Sequence, residues 1–259
     1  MHQKVITMVP MFQIMEESMT KSYIWPLINR VSHVLLIVFL ATAYLLGDAD
    51  NLLDYHVAFG FALGVVFLFR AIWGFIGPKY SQFKDFNFSI SELKDYMLAV
   101  FTKNKEHVGH NPASSFAIVA MIVFTFLSIV SGVLAQGIEK HHGLLSSFYS
   151  GSLKELEFFS GMHSLFANIL VAIIAAHVAG SLIDKYIKKS DAIDSMFSGY
   201  KKTTEKIEIK LNIFQKLFSI IWIVVSLFSL YYLIFTKDNM FIANSSGQQN
   251  YTVEHEDHD

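Results

Sequence analysis

Cysteine is missing from all 259 residues, which removes disulfides, thiolate-held iron–sulfur clusters and covalently attached c-type haem from consideration. Any metal must be held by histidine, methionine or oxygen. Charge is scarce as well. Asp, Glu, Lys and Arg make up 16% of the chain against 53% hydrophobic residues, and the mean hydropathy is positive, far from the profile of a soluble globular domain. There is no glycine-rich phosphate loop, Walker-type lysine motif or nucleophile elbow, and no internal repeat. Nothing reads as a soluble catalytic domain or a nucleic-acid binder.

What is present is a set of long apolar runs. Five segments meet the length of about 20 mostly apolar residues needed to cross a bilayer: Ile24 to Leu46, Tyr55 to Ile76, Ala113 to Ala135, Gly161 to Ile183 and Leu217 to Phe235. The residues before the first of these include Glu16 and Glu17 and do not read as a cleavable signal peptide, so the first span is expected to be its own insertion signal. With the N-terminus in the cytoplasm, seventeen of the twenty basic residues fall on the cytoplasmic side and only Lys140, Lys154 and Lys237 outside, as the positive-inside rule requires. Eleven acidic residues fall on each side, so the formal charge is +6 inside and −8 outside.

Between the spans, FSISELKDYMLAVF carries Ser89 and Glu92 at capping-box spacing and reads as a short amphipathic helix on the membrane surface. GHNPASS places Asn111 as an N-cap and Pro112 at the first helical position of the third span. His141 and His142 lie in an external loop, and the polar, acidic tail ending in HEDHD is expected to be disordered. These outer histidines read as solvated rather than metal-binding.

Histidines inside the apolar spans are costly there and mark functional sites. His33 is on the first span, His56 on the second, and His163 and His177 on the fourth. The last two are fourteen residues apart, four turns less 40°, so they share one helix face roughly 21 Å apart along the axis. Their depths pair with the others. His33 and His177 lie toward the cytoplasmic side, His56 and His163 in the first turns of helices entering from outside. Two bis-histidine sites follow, and a pair of neutral imidazoles from facing helices suits axial ligation of a haem iron within a bundle.

Small residues stand where a macrocycle needs room: Gly60 and Gly64 after His56, Ala167 after His163, and Gly180 after His177. Taken alone, these glycines read first as ordinary helix packing. The competing class is a histidine-lined transporter without haem. Ion paths of that kind commonly include intramembrane carboxylates, and none of the five spans carries Asp or Glu in its apolar core. With both axial positions filled, the expected chemistry is one-electron transfer.

The sequence resembles the bacterial cytochrome b561 family, which includes the cytochrome b subunit of nickel–iron hydrogenases. RVSHVLL, YHVAFGFALGVVFLFRAIWGFIGP, VGHNPASS and the opening of the fourth span carry the likeness, over most of Tyr23 to Tyr186. The resemblance implies two b-type haems with ligands at His33, His56, His163 and His177, and electron transfer between quinone and a partner protein. Arg70, on nearly the same face as His56, and Arg30, one turn before His33, suit pairing with a haem propionate or positive-inside anchoring with snorkelling. His110 suits a propionate contact or a quinone pocket.

The expectation is an all-α integral membrane protein: a four-helix transmembrane haem-binding bundle plus a fifth, C-terminal transmembrane helix. Its parts are a cytoplasmic N-terminal segment (1–22), a di-haem core (23–186), a basic cytoplasmic linker (187–216), the fifth helix (217–236) and an acidic periplasmic tail (237–259). It is expected in the bacterial inner membrane, moving electrons between the quinone pool and a periplasmic redox partner such as a cytochrome c. The alternative is the membrane anchor of a hydrogenase or similar periplasmic oxidoreductase.

Overall fold

The computed structural model describes residues 19–99, 107–140 and 153–240; the expectations for His141, His142 and the acidic tail fall outside these. Five of its helices are long and apolar enough to cross a membrane. They are α1 (Leu27–Leu46), α2 (Leu53–Ile76), α4 (Pro112–Lys140), α5 (Leu153–Tyr186) and α7 (Ile213–Met240). The described residues also form two shorter helices, α3 (Ile90–Leu98) and α6 (Ala192–Ser198), two 3-10 turns, Asp50–Leu52 and Phe83–Asp85, and two short strands, β1 (Thr20–Tyr23) and β2 (Tyr200–Thr203). The protein is an all-α membrane protein.

Hydropathy marks where lipid begins, not where a helix begins: α2, α4, α5 and α7 overrun their apolar runs, while α1 starts at Leu27, three residues inside its own. α5 starts at Leu153 rather than near Gly161, so His163 lies ten residues into its helix and not in the first turn. His56 is the fourth residue of α2. The capping signals are realised locally: the Glu92 N–H donates to Ser89 Oγ at 3.2 Å and the Ser114 N–H to Asn111 Oδ1 at 2.7 Å. The reciprocal half of the capping box is not made. The Ser89 N–H donates instead to Asn87 Oδ1, and Asn87 Nδ2 holds the Glu92 carboxylate.

The chain divides into two compact units. One draws its described residues from Leu35–Phe69, Ala120–Ile173 and Ile220–Asp259. Its core joins α1, α2 and α7 through Phe39, Ala62, Leu63 and Val66, with Leu230 packed against them. Small Ala62 lets the backbones approach, and Trp222 Nε1 of α7 donates to the Val65 carbonyl at 2.8 Å. Ser226 and Ser131 return their hydroxyls to carbonyls four residues back, the local solution for a hydroxyl within apolar surroundings.

The other unit draws on Met1–Val34, Arg70–Val119 and Ile174–Ser219. Here fully buried Trp73 donates to Asn29 Oδ1 at 2.7 Å, and Asn29 Nδ2 donates to Ser81 Oγ at 2.6 Å. β1 and β2 pair antiparallel with Thr20 opposite Thr203 and Tyr23 opposite Tyr200. α6 ends at Gly199, whose φ of 85° and N–H bond to the Ser195 carbonyl make a left-handed cap. Its carbonyl accepts from Ile24 and Trp25, and a Cβ there would sit 2.8 Å from the Tyr23 ring and 2.9 Å from the Trp25 carbonyl oxygen. Only glycine meets both demands.

Candidate functional site

His56 and His163 meet within a single unit. Their ring centroids are 5.9 Å apart and their planes cross at 86°. Each imidazole is seated by a backbone carbonyl: His56 Nδ1 lies 2.8 Å from the Ala43 oxygen and His163 Nδ1 2.8 Å from the Ser128 oxygen. The first carbonyl is one of the last four of α1, which have no partner within their own helix; the Gly47 N–H turns to Tyr44 instead. A carbonyl only accepts, so both rings carry their proton on Nδ1 and leave Nε2 with a free lone pair. That is the state in which an imidazole ligates a metal while its other nitrogen fixes ring orientation.

α4 supplies the seat of His163 although it bears no histidine. A Cβ at Gly132 would lie 2.9 Å from His163 Nδ1, so the missing side chain is what lets the ring reach the Ser128 carbonyl four residues earlier. Ser128 Oγ is buried and has no hydrogen-bond partner among the described residues. The signal was legible as Ser and Gly one turn apart in SIVSG. It passed unread because a helix without a titratable group attracts no chemical question. Around the pair there is room: a Cβ at Gly60 or Gly161 meets nothing within 4 Å, and at Gly64 only the Ile129 methyl groups, at 3.9 Å.

The other unit holds His33, His177, Arg30, Arg70 and His110. His177 and Arg70 lie near enough to His33 to act on it through space. Ser181 returns its hydroxyl to the His177 carbonyl at 2.9 Å, and a Cβ at Gly180 meets nothing within 4 Å. Arg70 Nη1 reaches the Ser81 carbonyl at 3.4 Å, while Arg30 Nη1 donates to the Phe197 carbonyl at 2.5 Å with its Nε buried and unpartnered among the described residues. His110 packs between Trp25 and Phe86 at 5.0 and 4.8 Å, and its buried Nδ1 is likewise unpartnered. Burial, then Arg70 and Lys201, push this imidazole down to about 3, so it is neutral at pH 7.

Below this group lies a polar cluster that sequence reading missed. The Tyr96 hydroxyl of α3 is 2.5 Å from both Asp184 carboxylate oxygens, and Asn111 Nδ2 donates to the Tyr96 oxygen at 2.8 Å and to Asp184 at 3.1 Å. Lys188 lies 3.2 Å from the same carboxylate and 3.5 Å above the Tyr96 ring. Burial and then the carboxylate push the Tyr96 hydroxyl well above its usual range, so it stays a donor. Among the described residues no three His, Asp or Glu side chains gather as a metal cluster. His56 and His163 are a pair, not part of such a cluster.

A family model described as prokaryotic cytochrome b561 matches residues 24–199. Two curated proteins, each named "Probable Ni/Fe-hydrogenase B-type cytochrome subunit", are similar to the chain. The one from Bradyrhizobium diazoefficiens is 25% identical over 194 residues, covering 64% of this chain and 78% of that protein. The one from Rhodobacter capsulatus is 23% identical over 209 residues, covering 69% and 78%. No solved structure matches.

Proposed function

The chain belongs to the prokaryotic cytochrome b561 family, and from that premise we propose that it is a di-haem cytochrome carrying electrons between the membrane quinone pool and a redox partner outside the cytoplasm. Family membership makes it a multi-pass membrane cytochrome b that transfers electrons and implies b haem, which sets aside the transporter without haem. The haem number, the ligands, the quinone and the partner are the proposal.

One observation carries the first haem site: the 5.9 Å separation of the His56 and His163 rings, each with Nδ1 on a backbone carbonyl and so with Nε2 unprotonated. An imidazole nitrogen binds a first-row metal at about 2.0–2.1 Å, so two rings in line across one iron have centroids roughly 6 Å apart. The residues present fit the group. His56 and His163 would hold one haem and His33 and His177 the other, with Gly60, Gly64 and Gly180 beside them. Arg30, Arg70 and His110 would meet the second haem's propionates or a quinone head group. Bound there, haem supplies one-electron iron chemistry.

The protein's own contribution is positional. The Ala43 and Ser128 carbonyls hold the two Nδ1 protons and fix both rings, so neither ligand reorients when the charge at its other nitrogen changes. The core is assigned to residues 23–186, with the N-terminus cytoplasmic, the tail periplasmic and the bilayer the inner membrane of a bacterium; the distribution of lysine and arginine supports that orientation. The two relatives' names favour a hydrogenase or similar oxidoreductase as the partner, and copurification of a metal-containing catalytic subunit tests it. The quinone role is tested by adding a water-soluble quinol to the purified protein: haem reduction within a turnover time is expected, and haem that dithionite reduces but quinol does not would overturn it.

A further inference from the structure

The entry to α7 lies beyond residue 199, where the family match ends, and it forms one wall of a cavity of ≈ 380 Å³. The facing wall is the entry to α1, with Pro26 and Ile28 buried and Leu27 exposed. Ile209, Leu211 and the lysines Lys210 and Lys216 line the α7 side. This wall is pinned, because the Tyr23 N–H donates to the Ile207 carbonyl and the Ile209 N–H to the Tyr23 carbonyl, both at 2.9 Å. The volume falls within the range of small-ligand sites.

α1 and α7 are the first and fifth spans, so both start from the same side of the membrane. The cavity therefore sits at a membrane boundary. Leu27 in its wall is exposed, as are Ile213, Phe214 and Leu217 in the first turns of α7 beside it in sequence, apolar side chains suited to hydrocarbon. Lys216 makes no ion pair among the described residues, and Lys210 has only a 3.6 Å contact with exposed Glu208. Long lysine stems lie along apolar surface while their ammonium groups stay at headgroup level. A neutral quinone head can accept hydrogen bonds but carries no charge to offset two cations, whereas basic pockets between transmembrane helices take anionic lipid head groups.

We propose that this cavity binds one anionic phospholipid, its phosphate held between Lys210 and Lys216 and an acyl chain lying against Leu27, Ile28 and Leu211. The site ties α7 to α1 through a lipid and gives the fifth helix a role independent of haem number. Native mass spectrometry of the full, detergent-purified protein titrated with phosphatidylglycerol or phosphatidylcholine tests it. One phosphatidylglycerol per chain is expected in preference to phosphatidylcholine. Each lysine contributes about five-fold, so the Lys210→Gln, Lys216→Gln double variant should lose roughly 25-fold in phosphatidylglycerol affinity at unchanged haem content. Leu211→Trp, which fills the cavity and keeps both lysines, should lower occupancy as well. Equal retention of the two lipids, an unchanged double variant, or displacement by inorganic phosphate or a neutral quinone analogue would each overturn the proposal.

Discussion

At His163 one missing methyl group decides how near an imidazole comes to the Ser128 carbonyl of α4. Adding it, as Gly132→Ala, places a carbon 2.9 Å from Nδ1, and overpacking of this kind costs about 1–3 kcal/mol. The expected result is a changed low-spin electron paramagnetic resonance signal for one haem and not the other, with Gly132→Val reducing haem content toward one per chain. His110 gives a second prediction. Its folded-state value of about 3 lies below the unfolded 6.5, so the unfolded chain takes the proton first. Its contribution to stability is complete above 6.5 and declines as pH falls from there toward 3. Thermal unfolding followed across that window should show a shallower acid loss in His110→Gln than in the native protein. The four intramembrane histidines were legible because depth and spacing are properties of the chain alone. Their seats were not, since a carbonyl of Ala43 or Ser128 is invisible until two helices are side by side.

Among the elements, the helices were the readable part and the β1–β2 clasp was not. Thr20 and Thr203 are 183 positions apart, and four-residue strands leave no period to detect. Nothing in the sequence pairs them. Gly199 is the weak point of the clasp: Gly199→Ala forces a side chain into a left-handed position already crowded by Tyr23 and Trp25, at a cost of roughly 1–3 kcal/mol. A lower unfolding temperature and earlier proteolysis between Ser190 and Lys210 are expected, with haem content unchanged. α3 is tied to α5 through Tyr96. Tyr96→Phe removes the donor to both Asp184 oxygens and leaves a buried carboxylate with fewer partners, a loss of about 1–3 kcal/mol. Hydrogen exchange should rise in Ile90–Leu98 and stay constant in α2.

For the whole molecule, the proposed orientation with the N-terminus in the cytoplasm gives a sequence charge of +6 inside and −8 outside, which argues for steering of a basic partner to the outer face. Binding of a basic soluble cytochrome c should weaken steeply as salt rises; salt-independent binding would exclude electrostatic docking. The existence of five membrane spans was readable because lipid imposes it, and the helix ends beyond the apolar runs were not, because water permits many endings. The central claim, two haems held by two histidine pairs, is most directly tested by one measurement. The dithionite-reduced minus oxidised spectrum of the purified protein is combined with a pyridine haemochrome assay, for the native chain and for His163→Ala and His177→Ala. Two b-type haems per native chain, falling to about one in each variant, are expected. A native ratio of one, or variants that keep both haems, would contradict it.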